Sequence, residues 1–303
     1  MDSSAVPAPL GVVGHYNLLE RLEPAGPGEL YRARDTHRGR TVTVRVMPAG
    51  FAKDARERAA FLDRARALIP MSHPNVTTIF DAGDQEGRLY LVFEFLKGQS
   101  LRAEMGGRPM NVRRAVDLTI QMADAIAEAH AAGYVHGGLS PDSVAITAKG
   151  RAKIPAFELA TRGGFDHRED SRLRDYDAPE EAGGGPTDER SDIYSVGAIL
   201  YEMLTTRRPL HRGASAPSAS NRHVPPEIDE IVLRALAPNP ASRYQSAATF
   251  AAELRSTAAI LDVRSAADDE DAADQRSLSP GRTVVLAALI LLVVGLLVWL
   301  AAS

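Results

Sequence analysis

The spacing of apolar residues along positions 15–256 changes once, and this change limits the fold more than any other feature of the chain. Residues 41–47 alternate, with Val42, Val44 and Val46 on one side, and residues 88–96 are rich in aromatic and β-branched types. Positions 16–47 and 76–96 are therefore predicted to hold strands, with a helix over 54–69 between them. After position 110 the apolar residues recur at helical spacing. Strands followed by helices predict an α+β domain with a small strand-rich lobe and a larger helical lobe.

The segment 283–302 contains twenty residues and no charged side chain. At a rise of about 1.5 Å per residue, a helix of this length spans roughly 30 Å, the thickness of a bilayer core. The segment therefore predicts one C-terminal transmembrane helix; the alternative is a helix buried in a protein core. Arg276 and Arg282 precede the segment and no charge follows it. This asymmetry predicts a single-pass protein of the cell membrane whose main domain lies in the cytoplasm.

Composition and charge exclude several kinds of functional site and one class of partner. The chain has no cysteine, which excludes disulfides, thiolate zinc sites and cysteine nucleophiles. Its formal net charge is -4, without the basic patch that is typical of nucleic-acid binders, so no nucleic-acid partner is expected. Residues 257–282 hold six acidic residues and three arginines, and they predict an acidic, disordered juxtamembrane linker. Residues 1–14 are interpreted as an N-terminal arm.

Six short segments of the chain form a recognisable series. They are YRARD (31–35), SHPN (72–75), YLVFEFLKGQSL (90–101), YDAPE (176–180), SDIYSVGAILYEMLT (191–205) and LAPNPASRYQSA (236–247). In their order and intervals they resemble bacterial Ser/Thr protein kinases of the membrane-anchored receptor type. The resemblance covers residues 15–256, with an N-lobe over about 15–96 and a C-lobe over about 97–256, and it implies a two-lobed protein-kinase-like fold.

A kinase must cover the phosphates of ATP, neutralise them, hold Mg²⁺ and accept a hydroxyl proton. The covering turn of the family is glycine-rich, but its three glycine positions here hold Glu23, Ala25 and Gly28. The strand lysine of the family corresponds to Arg45, and its partner glutamate corresponds to Arg64. None of the four lysines of the chain lies in this turn or this strand, so none is expected to replace the missing one.

The catalytic loop of the family normally reads H-R-D-L-x-x-x-N, with an aspartate base and a metal-binding asparagine. In this chain the base position is Gly138, the asparagine position is Ser143, and the position of the phosphate-contacting lysine is Ser140. The metal-binding aspartate of the D-F-G motif corresponds to Ala156. Glu158, two residues further on, is a weak candidate for a metal ligand. No catalytic residue of the family is therefore retained.

The resemblance also places an ATP pocket in the chain. Because the phosphate- and metal-binding residues are replaced, we expect weak or no binding that depends on Mg²⁺, and no cofactor is assigned. The residues at pocket positions are Ala25, Gly28, Leu30, Thr43, Arg45, Phe93, Glu94 and Ala145.

Residues that hold the family's fold together are retained. Glu180 and Arg243 match a buried ion pair, and Asp192 matches a buried aspartate that accepts hydrogen bonds from the catalytic-loop backbone. Removing one partner of such a pair costs about 3–5 kcal/mol, which explains the retention without catalysis. An apolar column that joins the lobes in the family corresponds to His136, Phe157, Leu68 and Ile79.

Retained structure with deleted chemistry is typical of a pseudokinase. The sequence predicts a membrane-tethered scaffold or allosteric partner without enzymatic activity. Its partner would be another protein, such as an active kinase or its substrate. One alternative is an atypical Ser/Thr kinase that holds its metal with Glu158 or Asp142, although Asp142 lies at a position that faces elsewhere in the family. The other alternative is a sensor that binds a nucleotide or small ligand without turnover.

Overall fold

The computed structural model describes residues 9–22, 28–155, 174–182, 184–209, 213–260 and 262. Five site residues singled out in the sequence lie outside the described residues: Glu23, Ala25, Ala156, Phe157 and Glu158. So do most of the predicted linker and all of the predicted transmembrane segment, 283–302. Within the described ranges, no helix has both the length and the apolar character needed to cross a bilayer.

The first lobe contains a six-stranded antiparallel sheet with the strand order β1-β2-β3-β4-β6-β5. Helix α1, Ala55–Leu68, begins after Asp54, whose side chain accepts a hydrogen bond of 2.8 Å from the Glu57 amide. Val42, Val44 and Val46 of β4 are buried in the sheet, as their alternation predicted. The strands are β1 Gly11–Val13, β2 Tyr16–Leu22, β3 Glu29–Asp35, β4 Arg40–Val46, β5 Ile79–Gln85 and β6 Arg88–Glu94.

The second lobe is helical and contains a small three-stranded sheet. The strands of that sheet are β7 Gly98–Ser100, β8 Ala145–Thr147 and β9 Ala152–Lys153. Every residue of α5 from Ser191 to Thr205 is buried, so this helix forms the centre of the lobe. The helices are α2 Leu101–Met105, α3 Val112–Ala131, α4 Pro179–Ala182, α5 Glu189–Thr205, α6 Pro226–Ala235 and α7 over residues 247–260. The two lobes confirm the predicted α+β architecture.

Two boundaries differ from the sequence interpretation. Residues 11–13, which were placed in the N-terminal arm, form β1 and pair with β2. Three residues are too few to show a periodic pattern, so this strand could not be recognised. Residues 257–260, which were placed in the disordered linker, are helical. Ala258 and Ala259 favour helix, and the first charged residue of the linker, Asp262, comes only after this segment.

Candidate functional site

A cavity of about 260 Å³ lies where β4 and β6 of the first lobe approach β7, β8 and β9 of the second. Most of its surface is apolar, and four ionisable residues, Arg45, Glu94, Asp142 and Lys153, are among those that line it. The described residues that line it are Leu22, Leu30, Thr43, Arg45, Thr77, Phe93, Glu94, Phe95, Leu96, Gly98, Gln99, Ser100, Asp142, Ser143, Val144, Ala145, Lys153 and Pro155.

Most of the predicted pocket residues meet at this cavity. They are Leu30, Thr43, Arg45, Phe93, Glu94 and Ala145. Gly28 is not part of the lining. It has a φ of +84°, and a Cβ at this position would lie 2.2 Å from the carbonyl oxygen of Val46. The tight approach of the β2–β3 turn to β4 is therefore sufficient to require glycine here, without any contact to phosphate.

Arg45, at the position of the strand lysine, is buried with 2% of its surface exposed. It lies on β4 between Leu30 of β3 and Leu91 of β6, and it reaches the cavity. Arg64, at the position of the partner glutamate, is half-buried on α1 and is not part of the described lining. The structure thus brings a guanidinium, but no carboxylate from α1, to this side of the cavity.

The catalytic-loop positions carry no general base and no metal-binding carboxylate or amide. Gly138 and Ser140 are buried and do not line the cavity. The Ser140 hydroxyl has no hydrogen-bond partner within the part of the chain that is described. Ser143 lines the cavity, but its Oγ accepts from the Ser140 amide at 3.1 Å and donates to the Ser140 carbonyl at 3.0 Å. Ser143 therefore closes a local turn.

Asp142 is among the residues that line the cavity. Its Oδ2 accepts from Nε and Nη2 of Arg102, both at 3.3 Å. The same guanidinium donates to Glu202 Oε1 at 2.6 Å and to the Tyr176 hydroxyl at 2.5 Å. A metal ion at Asp142 would have to compete with a cation that is already held by three side chains. Sequence reasoning did not find Arg102, because its partners lie up to 100 residues away.

Lys153 is a second residue that the sequence reasoning missed. It lies on β9 and lines the cavity, so one of the four lysines does reach the pocket by another route. Its Nζ forms an ion pair with Glu94 and donates to the Val76 carbonyl at 3.3 Å. Glu94 Oε1 also accepts from the Thr78 amide at 2.9 Å. One oxygen of Glu94, Oε1, is therefore held by two donors.

Asp192 organises the backbone at the start of the catalytic loop. Its two carboxylate oxygens accept hydrogen bonds from the amides of His136, at 2.8 Å, and Gly137, at 2.7 Å. The Nε2 atom of His130 lies 2.8 Å from Oδ2 of the same carboxylate. All three contacts involve structural groups, and none of them points a reactive atom at the cavity.

Glu180 and Arg243 form a two-bond ion pair beneath the loop that precedes α5. Nη1 and Nη2 of Arg243 donate to Oε1 and Oε2 of Glu180, each at 2.7 Å, and the arginine side chain is fully buried. The guanidinium also donates to three backbone carbonyls, and the Ser191 hydroxyl donates to Glu180. Burial alone would raise the pKa of Glu180, but the Arg243 hydrogen bonds outweigh it and hold this pKa below its usual value.

The described part of the apolar column is buried as the resemblance implied. Leu68 of α1 and Ile79 of β5 are each 1% exposed, and His136 is 3% exposed.

The described side chains do not fit ATP with Mg²⁺ in the arrangement that a kinase uses. Within the described ranges, no group of three or more histidine, aspartate or glutamate side chains could hold a metal ion. The two acids of the cavity are engaged by Lys153 and Arg102, and the loop positions that would supply further ligands are glycine and serine. We therefore derive no step of phosphate transfer through this site.

A strand-rich lobe, a helical lobe and a cavity between them define the class of protein kinase folds. The family model for the protein kinase domain matches residues 17–257, and the chain belongs to this family. Among the crystal structures that resemble it is the PknI kinase domain of Mycobacterium tuberculosis, with a TM-score of 0.68 and 22% identity. That match covers 83% of this chain and 99% of the PknI domain, and at this identity it concerns the fold alone.

Curated relatives are bacterial serine/threonine-protein kinases. A probable serine/threonine-protein kinase of Streptomyces coelicolor is 33% identical over 77% of this chain and 38% of its own length. PrkC of Bacillus subtilis is 30% identical over 80% of this chain and 40% of its own length. PknB of Mycobacterium tuberculosis is 33% identical over 79% of this chain and 42% of its own length. The chain thus spans about two fifths of the length of these relatives.

Proposed function

We propose that this chain is a non-catalytic member of the protein kinase family that acts as a signalling scaffold or an allosteric partner. The observation that carries the proposal is the state of the catalytic loop. Gly138 stands at the position of the base, and Ser143, at the position of the metal-binding asparagine, forms hydrogen bonds with the backbone of Ser140. Neither residue can accept the substrate proton or bind Mg²⁺ in the family's manner.

The rate enhancement that a kinase would lose with these residues supports this proposal. Phosphoryl transfer depends almost entirely on positioning and on electrostatic stabilisation by metal ions and cations. A general base alone contributes about 10²–10⁴-fold to the rate, and here the metal ligands of the loop are replaced as well. Such losses do not add simply. They nevertheless affect both chemical roles of the described catalytic loop, which are proton acceptance and metal binding.

The retained scaffold suggests what the domain does instead. A fold that keeps its buried ion pair and its loop-organising aspartate presents a defined surface to other proteins. We infer that the partner is a protein, such as an active kinase or a kinase substrate. The predicted helix over 283–302 would hold the domain at the cytoplasmic face of the cell membrane, where such a partner could be met at high local concentration.

The test is transfer of labelled phosphate from ATP to the chain itself and to a generic basic protein, with Mg²⁺ and with Mn²⁺. The full chain is purified in detergent, and an active serine/threonine kinase is assayed in parallel as a positive control. The Arg45→Met variant provides the background, because it removes the cation at the lysine position. We expect equal signals from the natural chain and the variant. Transfer by the natural chain that the variant lacks would overturn the proposal.

A second candidate, a kinase with atypical residues, is favoured by the names of the relatives, which are all serine/threonine-protein kinases. It would require a metal ion on Asp142 or on Glu158. If transfer is detected, Asp142→Asn and Glu158→Ala identify the ligand by its loss. Transfer that neither substitution changes would exclude both residues from this role.

A further inference from the structure

The outer edge of the first-lobe sheet exposes apolar side chains. Three large apolar side chains are exposed in the described part of the chain, and two of them, Leu10 and Val12, lie next to or on β1. Their exposed fractions are 66% and 52%. β1 is an outer strand of the six-stranded sheet, and the Leu10 amide extends it by donating to the Leu18 carbonyl at 2.7 Å. An exposed edge strand with apolar side chains is a surface on which another molecule can dock.

Two arginines lie beside these apolar side chains. Val12 pairs with Asn17 of β2, and Asn17 pairs with Arg34 of β3. Directly opposed residues share a face of the sheet, so Val12 and Arg34 are on the same face, about 10 Å apart. Arg38 is exposed in the turn that follows β3, and Asp35 fixes this turn by accepting a hydrogen bond of 2.9 Å from the Arg38 amide. The edge patch is defined as Leu10, Val12, Arg34 and Arg38.

The positive charge of the edge patch is not compensated by its neighbours. Two acids of the adjoining strands have arginines of their own: Glu20 pairs with Arg32 at 2.7 Å, and the buried Asp35 pairs with Arg40 at 3.3 Å. Neither arginine of the patch forms an ion pair within the ranges that the structure describes. A second copy docked through the same patch would bring like charges together, which disfavours a symmetric dimer.

We propose that the edge patch docks on an anionic lipid surface, with Leu10 and Val12 in the interfacial layer and the two arginines against lipid phosphates. Apolar side chains beside cations bind such a surface, and the cytoplasmic leaflet carries the negative charge. The inference rests on the proposed membrane tether, 283–302. The 20 residues 263–282 can span at most about 70 Å, so this anchor does not prevent the patch from reaching the bilayer.

The tether explains how so small a patch could be sufficient. One arginine near an anionic surface changes the docked population by about fivefold, and two are too few to hold a protein that diffuses freely. An anchor supplies the missing affinity, because it converts docking into an intramolecular step at high local concentration. Docking would orient the domain on the membrane and thereby decide which of its faces a protein partner can reach.

The test uses the absence of cysteine, which allows a single label at a chosen position. The full chain with Val12→Cys carries a polarity-sensitive fluorophore and is inserted into nanodiscs of phosphatidylcholine, with or without one third phosphatidylglycerol. We expect a blue shift of the emission in the anionic discs alone, and its loss at high salt. The same label at Ala132→Cys, an exposed position of the second lobe, should not shift.

Three results would overturn the docking. No shift in the anionic discs would mean that the patch stays in water. An equal shift in the neutral discs would mean that the chain's own acidic linker or a second copy covers it. An equal shift at Ala132→Cys would mean that the label responds to the membrane wherever it is placed.

Two matched double variants of the labelled chain locate the effect. Arg34→Gln with Arg38→Gln should lower the ratio of docked to undocked chains by about 30-fold and so remove the shift. Arg56→Gln with Arg66→Gln, at exposed positions of α1, removes the same charge and should change nothing. Equal losses from both pairs would assign the shift to net charge and overturn the patch.

The same samples separate this proposal from the proposed function. Chains that do not co-purify with the discs would overturn the predicted span and the docking together, whereas inserted chains without a shift would overturn the docking alone. Phosphate transfer by the inserted chain tests the non-catalytic role independently of both.

Discussion

The ion-pair region of the helical lobe, around Glu180 and Arg243, and the cavity between the lobes differ in how their polar side chains are held. Arg243 makes two hydrogen bonds of 2.7 Å to Glu180 and three more to the backbone carbonyls of Arg190, Ala237 and Pro238. Ser143, at the edge of the cavity, bonds only to the backbone of Ser140, three residues away. The first arrangement joins parts of the chain that are 63 residues apart, whereas the second shapes a single turn.

This difference separates the residues that maintain a kinase fold from those that perform kinase chemistry. A buried ion pair that loses one partner leaves a charge without compensation, and the cost is a large part of the stability of a domain. A residue at the edge of a cavity can change with little effect on folding. A complete kinase fold is therefore compatible with a catalytic loop that lacks a base.

The largest effect is expected when the ion pair of the helical lobe is broken. Arg243→Met should lower the free energy of unfolding by about 3–5 kcal/mol, because Glu180 keeps a charge that is only 18% exposed and three carbonyls lose a donor. Chemical unfolding of the full chain, followed by circular dichroism, measures this change. Arg255→Met is the matched control, since Arg255 forms an exposed pair with Asp124 and should cost at most about 1 kcal/mol. Equal losses in the two variants would contradict the contrast between the regions.

A smaller loss is expected at the aspartate that organises the catalytic loop. Asp192→Asn leaves one acceptor oxygen where the carboxylate serves His136, Gly137 and His130, and it turns an amide donor towards one of these groups. The free energy of unfolding should fall by about 2–3 kcal/mol. Glu189→Gln, at the exposed start of the same helix, should have an effect of less than about 0.5 kcal/mol. If Asp192→Asn is as mild as this control, the loop does not depend on the aspartate.

Sequence reasoning succeeded where a contact is encoded in short segments of fixed order. The two-lobed fold followed from six such segments and from the change of periodicity. The positions of Glu180, Asp192 and Arg243 came from the same segments, each of which also has a helical or turn pattern of its own. Helix α1 was predicted from the helical spacing of the apolar residues over 54–69.

The same reasoning could not place Lys153 or Arg102. Lys153 reaches Glu94, 59 residues earlier, because the short strand β9 pairs with β8 and the neighbouring Ile154 bridges to Val76. A two-residue strand has no periodicity to read. Arg102 meets Glu202 across 100 residues through the packing of α2 near the end of α5. Contacts of this kind depend on tertiary packing, which a single sequence does not display.

Glu181, the residue that follows Glu180 of the ion pair, should make the free energy of unfolding depend on pH. Burial raises the pKa of Glu181 to about 7 from its ordinary 4.5, although the Ala178 amide, at 2.9 Å from Oε2, opposes the shift. A raised pKa means that the folded chain holds this proton more tightly than the unfolded chain. The stabilisation is therefore complete below about pH 4.5 and is lost as the pH rises through 7.

Glu181→Gln removes this titration and keeps an acceptor for the Ala178 amide. The variant should be more stable than the natural chain by about 1–2 kcal/mol at pH 8, and equal to it near pH 4.5. Unfolding in denaturant across this pH range measures the difference. A difference that does not depend on pH would mean that Glu181 ionises normally in the folded chain.

The smallest effect is expected at the cavity. Ser143→Ala removes a hydroxyl that bonds only to Ser140, so it should cost less than about 1 kcal/mol. The matched serine of the ion-pair region is Ser191. Its hydroxyl donates to Glu180 at 2.9 Å and accepts from the Asp188 amide at 3.2 Å. Ser191→Ala should therefore cost more, because it also removes a donor from a buried carboxylate.

Phosphate transfer, measured on the same two variants, separates folding from chemistry. Ser143→Ala should leave the background level unchanged, because Ser143 has no role in transfer according to the proposed function. A lower signal in this variant would place Ser143 in a working site, since its effect on folding is too small to remove activity. The cavity would then share the constraints of a catalytic centre, and the contrast with the Glu180–Arg243 pair would fail.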